Sequence, residues 1–382
     1  MRAAILLVCC AASVHADAQP RSGRPRIGLA LGGGVARGVA HVGILEWLEE
    51  QHVPIDFIAG TSTGGLVGGL YATGMSPAEL RSLMTSTDWD LMFHGDSPYA
   101  LKDFRRKEDA RDYPTALEFG LRKGLTLPSG LNAGQQVELL LAGLTSRYYA
   151  IRSFDDLPVP FRCTATDLIK GSPVILGDGP LSVALRATVS MPGVFTPVRR
   201  GGQLLADGGL LNNVPADVVW AMGADIVIAV DVGDIVTVRP GQESLFAVMS
   251  RTFDVLMDYN AARALRSADI VISPKLTDFG SMDWRRSGEI ADRGYAEAAS
   301  SRGLADLRVD AATWAAYIAA REARRVTSDP VPSAVVVSGV PPQEQRAMQA
   351  QLSRHVGRSL DAGALARDLD AIAGSDRYET VT

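Results

Sequence analysis

Gly60-Thr61-Ser62-Thr63-Gly64 is the stretch that decides how this chain is read. It joins an apolar, strand-like run (residues 55–59) to a run of small residues with helical character (65–73). Strand, G-x-S-x-G turn and helix together form the setting in which such a serine is a nucleophile. The serine must occupy a strained turn with its hydroxyl pushed outward, and a side chain at either flanking glycine would crowd that turn. The helix that follows aims its amide-rich N-terminus at the serine and so favours developing negative charge. A plain strand-to-helix glycine turn with an idle serine is the competing reading.

A second glycine cluster lies upstream. Arg26-Ile27-Gly28-Leu29-Ala30-Leu31 reads as a buried strand, Gly32-Gly33-Gly34-Val35-Ala36-Arg37-Gly38 follows it, and Val39, Val42, Leu45 and Leu48 then recur at helical spacing. Three bare glycines leave backbone N–H groups able to approach a ligand, which suits an oxyanion hole. Two nucleotide readings fail on the letters. The dinucleotide fingerprint needs glycine where Arg37 stands, and the P-loop needs a terminal G-K-[ST] where this loop ends Arg37-Gly38-Val39. Glycines that merely permit close helix–strand packing are the remaining alternative.

The third element is a carboxylate. The apolar run 203–206 ends in Asp207-Gly208-Gly209, and Asn212, Asn213 and Pro215 lead into a helix at 216–222. Alone, Asp-Gly is ordinary turn chemistry; beside two glycine clusters, Asp207 is a candidate base. The histidines supply no third member. His15 lies in the leader, His41 on the helix after the glycine loop, His52 at its end and His94 in a polar insert. Only His355 follows Asp207, in a separate segment. A Ser62–Asp207 dyad therefore fits better than the Ser–Asp–His order of α/β-hydrolases, provided its surroundings raise the basicity of the aspartate. His41 reads as a partly buried helix histidine.

In this order, the glycine loop 32–38, the turn 60–64 and Asp207-Gly208-Gly209 resemble the patatin-like phospholipase family. The resemblance extends to Phe161-Arg162-Cys163-Thr164-Ala165-Thr166-Asp167-Leu168, to residues 185–195 and to residues 223–231, and runs from about Arg26 to about Asp310. It implies an α/β fold: a three-layer sandwich with a mostly parallel central sheet flanked by helices. It also implies a lipid acyl hydrolase, a phospholipase A or lysophospholipase. Ser62 would be the nucleophile and Asp207 the base, with the Gly32, Gly33 and Gly34 backbone as oxyanion hole. Arg37 would hold that loop, and Gly60 and Gly64 would form the nucleophile elbow. No cofactor or metal is expected: the chain carries no H-E-x-x-H motif and no paired cysteine–histidine spacing. A general esterase or thioesterase, and a non-catalytic lipid-binding passenger, are the other functional classes.

Composition sets the remaining bounds. With 382 residues, 47% of them hydrophobic and 21% charged, the chain is long enough for one large α/β domain and a small module. A net charge of −5 argues against nucleic acid as partner and makes transient contact with an anionic membrane depend on a local basic patch. Arg105-Arg106-Lys107 and Arg199-Arg200 are the candidates, a solvated face being the bland alternative. Met1-Arg2, the apolar run 3–14 and the small residues around Ala16 and Ala18 read as a secretory leader over 1–18, which implies export to the periplasm, the outer membrane or the medium. Without the leader only Cys163 remains, so no intrachain disulfide can form.

Residues 89–126 read as an insert that mixes aromatic and basic residues. It suits either an interfacial lid or a capping subdomain. Residues 245–259 and 312–323 read as amphipathic helices, the first leaving room for a homodimer. The patatin-like domain is placed at 24–325, followed by a Pro-rich linker at 326–332. Beyond it, a strand (334–340), two helices (343–360 and 362–372) and a strand starting at 378 resemble a partial POTRA module over 333–382, as in patatin-like autotransporters whose β-barrel follows. On this reading the chain is the front part of a longer protein.

Overall fold

A computed structural model describes residues 23–94, 130–233 and 245–373. Its strands are β1 (Ile27–Leu31), β2 (Phe57–Gly60), β3 (Gly130–Asn132), β4 (Phe161–Asp167), β5 (Ser172–Leu176), β6 (Gly193–Phe195), β7 (Val198–Arg200), β8 (Gln203–Asp207), β9 (Ile226–Val230) and β10 (Ile270–Ile272). The main sheet runs β10-β9-β1-β2-β4-β8-β7, with β5 paired to β4; β3 and β6 form a separate parallel pair. Neighbours from β10 to β4 are parallel. The pairs β4–β5, β4–β8 and β7–β8 are antiparallel.

Side-chain alternation along β1 explains why both faces are covered. Leu29 and Leu31 enter the larger core with Ile44, Leu48, Ile58 and Leu70. Ala30 points the other way, in register with Ala59 on β2 and Ala229 on β9. This row of small residues admits the helix Ala216–Met222, whose Val219 shares the second core with them. The approach is close enough that a Cβ on Gly28 would lie 2.0 Å from Val219 Cγ1. The result is the expected three-layer α/β arrangement.

On the larger face the helices Ala40–Glu50 and Ser287–Ser300 touch backbone to backbone. A Cβ on Gly43 would meet Ala291 O at 1.8 Å, and one on Gly294 would meet Ala40 O at 1.9 Å. Gly43→Ala is therefore expected to cost about 2–3 kcal/mol by overpacking, read as a lower denaturant midpoint. An unchanged midpoint would contradict this contact. The helix Ala311–Ala323 completes that layer: buried Arg321 donates to Glu49 Oε1 at 2.5 Å, and its guanidinium stands 4.0 Å over the Tyr71 ring.

The C-terminal segment departs from its sequence reading in two places. Residues 334–340 pair with no strand among the described residues. They run beside the helix Pro342–Leu352 instead, whose Gln345 donates to Val337 O at 2.8 Å. Valines read locally as a strand, but a strand needs a ladder partner. The second strand, expected from 378, lies outside the described residues, as do the leader 1–18 and residues 95–126 of the insert. The helix expected to reach residue 360 stops at Leu352, followed by one turn at Ser353–His355. There Arg354 and His355 both turn to Asp368, His355 Nε2 lying 2.7 Å from its carboxylate. The helix Ala362–Ala373 folds back on Gln135–Thr145, where Gln136 donates to buried Asp370 at 2.7 Å.

Candidate active site

Ser62 stands between β2 and the helix Thr63–Ala72, at φ 54° and ψ −128°. This backbone region suits glycine, and a serine held there stores strain of about 1–3 kcal/mol. Neighbouring groups hold it in place. Ser62 N–H donates to Thr188 Oγ1 at 2.9 Å, and Thr63 Oγ1 donates to Val35 O at 2.8 Å. Gly60 and Gly64 are required sterically: a Cβ on Gly60 would lie 2.4 Å from Gly64 O, and one on Gly64 2.3 Å from Leu31 O. Both elbow glycines are thus explained by contact with backbone.

Asp207 reaches the same spot from the opposite direction. It ends β8, which runs antiparallel to β4 and pairs Asp207 with Ala165. Along β4, Gly60 of β2 sits level with Cys163, so Asp207 lies just beyond the C-terminal end of β2, where Ser62 begins its turn. Its carboxyl is fully buried, and Oδ1 accepts from Gly209 N–H at 2.8 Å. Burial pushes its pKa up to about 7, against the opposing pull of hydrogen bonding from the Ser62 hydroxyl and from Gly209. Oδ2 has no partner at full hydrogen-bond geometry among the described residues. Ser62 thus stands beside the carboxyl without closing a bond of full geometry, as catalytic hydrogen bonds in unliganded sites often do. The structure brings Ser62, Asp207 and the glycine loop together.

The glycine loop is more finely divided than the sequence suggests. Gly32 N–H is taken by Val230 O at 2.9 Å, and Gly33 N–H by Asn213, through its carbonyl at 3.3 Å and its side chain at 3.1 Å. Gly34 N–H has no acceptor among the described residues, so of the three glycines it is the free donor. Gly33 contributes closeness: a Cβ there would fall 2.8 Å from Ser62 Cβ. Val35 follows at φ 53°, a second strained position on the same loop. Arg37 ties the loop to a neighbouring one, Nε donating to Phe279 O at 3.0 Å.

His41 is fully buried, with Nε2 2.7 Å from Gly32 O. Burial lowers its pKa to about 4, so it is neutral at ordinary pH and Nε2–H donates. It braces the glycine loop from behind, as a structural histidine would. Sequence reasoning assigned no part to Asn213 or Thr188, which hold Gly33 and Ser62; the sequence offers no local sign of either bond.

Beside Ser62 opens a small apolar cavity. Ser62 and Thr63 are its polar lining; Trp89, Phe93, Phe195 and Trp284 dominate the remainder. Trp89 and Trp284 stack at 4.3 Å between centroids, and Phe93 packs on both Phe195 and Trp284. Buried Arg186 braces the Phe195 segment, donating to Ser190 Oγ at 2.7 Å and to Thr196 O at 3.2 Å. No group of three or more His, Cys, Asp or Glu able to hold a metal occurs among the described residues.

The profile of the family described as patatin-like phospholipase matches residues 29–220, half of the chain, with Ser62, Asp207 and the glycine loop inside it. The chain belongs to the patatin-like phospholipase family. Among relatives, it is 36% identical over 211 residues to a patatin-like phospholipase domain-containing protein of Caenorhabditis elegans, covering 55% of this chain and 14% of that protein. It is 32% identical over 251 residues to an uncharacterised NTE family protein of Mycobacterium bovis, covering 64% and 61% respectively. It is 33% identical over 210 residues to patatin-like phospholipase domain-containing protein 6 of Mus musculus, covering 54% and 13%. The match thus spans less than two thirds of each of these relatives. The crystal structure of VipD from Legionella pneumophila aligns with 92% of this chain and 80% of VipD, at a TM-score of 0.40 and 14% identity.

Proposed function

We propose that this protein is a lipid acyl hydrolase that cleaves carboxylic esters of phospholipids or lysophospholipids. One observation carries the reading: a serine on a strained backbone turn beside a buried carboxyl of pKa about 7, at the edge of an apolar cavity. The cavity takes an acyl chain and leaves the ester at Ser62. Ser62 Oγ attacks the carbonyl carbon as Asp207 accepts its proton, and the Gly34 N–H stabilises the oxyanion. The tetrahedral intermediate collapses, the lysolipid or alcohol leaves with the proton from Asp207, and an acyl-serine ester remains. Water then gives a proton to Asp207 and attacks that ester, which releases the fatty acid and returns the proton to Ser62.

The test is hydrolysis of micellar phospholipid beside short p-nitrophenyl esters. Turnover of the phospholipid that vanishes in Ser62→Ala supports the reading. Turnover confined to the short esters sinks it in favour of a general esterase. A pH profile adds a second check. Asp207 must be ionised to act, so kcat/KM is expected to rise tenfold per pH unit below about 7 and to level above it. A profile flat from about pH 5 to about pH 9 would exclude Asp207 as the titrating base.

We also propose that the chain is exported by the leader at 1–18 and that 333–382 is part of a POTRA-like module. The helix pair Pro342–Leu352 and Ala362–Ala373 supports the latter. Secretion of a reporter fused to residues 1–25, lost on replacing the apolar run by polar residues, tests the export.

A further inference from the structure

We propose that the outer face of the helix Leu245–Ala264 docks on an anionic phospholipid bilayer and seats the active site at its surface. The proposal rests on the acyl-hydrolase reading in taking lipid as substrate; its surface is argued from the helix itself.

This 20-residue helix is apolar on two opposite sides. Inward, Phe253, Met257 and Ala261 are buried. Met257 lies over the catalytic groups, its Cε 3.3 Å from where a Gly33 side chain would begin and its Sδ 3.2 Å from where one on Gly209 would. Outward, Val248, Val255, Leu256 and Tyr259 are 52%, 50%, 41% and 75% exposed. Exposure at these spacings makes a single stripe along the helix, opposite Met257; Thr252 also falls on it, its hydroxyl turned back to Val248 O at 2.8 Å. A helix with apolar stripes on both sides has a use for two partners, and the described residues supply one.

Charge identifies the second. The helix acids Asp254 and Asp258 lie off the stripe, partly buried, within reach of Arg251 and Arg37. Exposed Arg263 and Arg266 continue the stripe at its C-terminal end. An acid-free apolar strip with an outward tyrosine and two arginines at one end matches the acyl–headgroup boundary of an anionic bilayer. Leu211, in the loop after Asp207, is also exposed, and that loop is tied to the helix by Asn260, which donates to Leu210 O at 2.8 Å. No helix among the described residues is long and apolar enough to cross a membrane, so the contact is with the surface. This location differs from the basic clusters picked from the sequence: Arg200 is ion-paired with Asp178, and Arg105-Arg106-Lys107 lies outside the described residues.

The test uses the full chain in a Ser62→Ala background, co-sedimented with phosphatidylcholine vesicles with and without phosphatidylglycerol. Val255→Asp with Tyr259→Asp is expected to lower vesicle partitioning roughly tenfold or more. Arg263→Gln with Arg266→Gln is expected to lower it only for vesicles containing phosphatidylglycerol, in a salt-dependent manner. With Ser62 restored, the Asp pair should lose turnover of vesicle lipid and keep turnover of a monomeric short-chain ester, which also shows that it is folded. Vesicle binding unchanged by the Asp pair, or absent from the parent chain, would overturn the proposal. So would a dimer that the Asp pair dissociates without affecting vesicle binding, which would assign the face to a second copy. A chain that binds vesicles through this stripe yet hydrolyses neither substrate would refute the acyl-hydrolase reading and leave the docking surface standing.

Discussion

Asp207→Asn is expected to abolish turnover and at the same time to make the protein more stable. The loss follows from the chemistry: an amide cannot accept the Ser62 proton, and removing a partner of a serine nucleophile typically costs a thousandfold or more. The gain follows from linkage. The folded pKa of Asp207 is about 7, against an ordinary 3.8, because burial disfavours the charged form. Below about pH 4 the carboxyl is protonated in both folded and unfolded chains and costs nothing. As pH rises to about 7 the unfolded chain ionises first, so wild-type stability falls relative to the variant; above about 7 the difference is constant. Three pKa units correspond to about 4 kcal/mol. Urea melts at about pH 4 and about pH 8 should therefore diverge for the two proteins only at the higher pH. Equal stability at both values would mean that the carboxyl pays no burial cost and is no tuned base.

Ser62 gives the second large effect, and two substitutions separate its roles. Ser62→Ala and Ser62→Gly both remove the proposed nucleophile, and each should lower phospholipid turnover by at least about a thousandfold. They differ in stability. Alanine inherits the φ of 54°, whereas glycine adopts it freely, so Ser62→Gly should be the more stable of the two by about 1–2 kcal/mol. The two thermal unfolding midpoints give the measurement. A glycine variant no more stable than the alanine variant would show that the turn holds no strain.

Much of this site could be read from the linear sequence because it is built from local signals. Glycine clusters mark backbone approaches whatever the rest of the chain does, and the unbroken apolar run through Leu29 and Leu31 marks a buried strand. The helix at 216–222 followed from an apolar run behind Pro215 and ended where Gly223 adopts φ 99°. What could not be read depends on distance along the chain. Trp89 and Trp284 wall one cavity although nearly two hundred positions apart, and neither has a neighbour that announces the other. The division of labour in the glycine loop was hidden for the same reason: Gly33 is spent on Asn213, a residue that enters from beyond Asp207. The valines at 335–337 misled because β-branched residues favour extended backbone without supplying a partner.

The central claim is that Ser62 is a nucleophile activated by Asp207. A fluorophosphonate probe tests it most directly, with the adduct located by peptide mass spectrometry. The account predicts one phosphonyl adduct, on Ser62, absent from Ser62→Ala, slowed strongly in Asp207→Asn, and forming faster as pH rises through about 7. An adduct on any other residue, or labelling of Asp207→Asn at the wild-type rate, would contradict it.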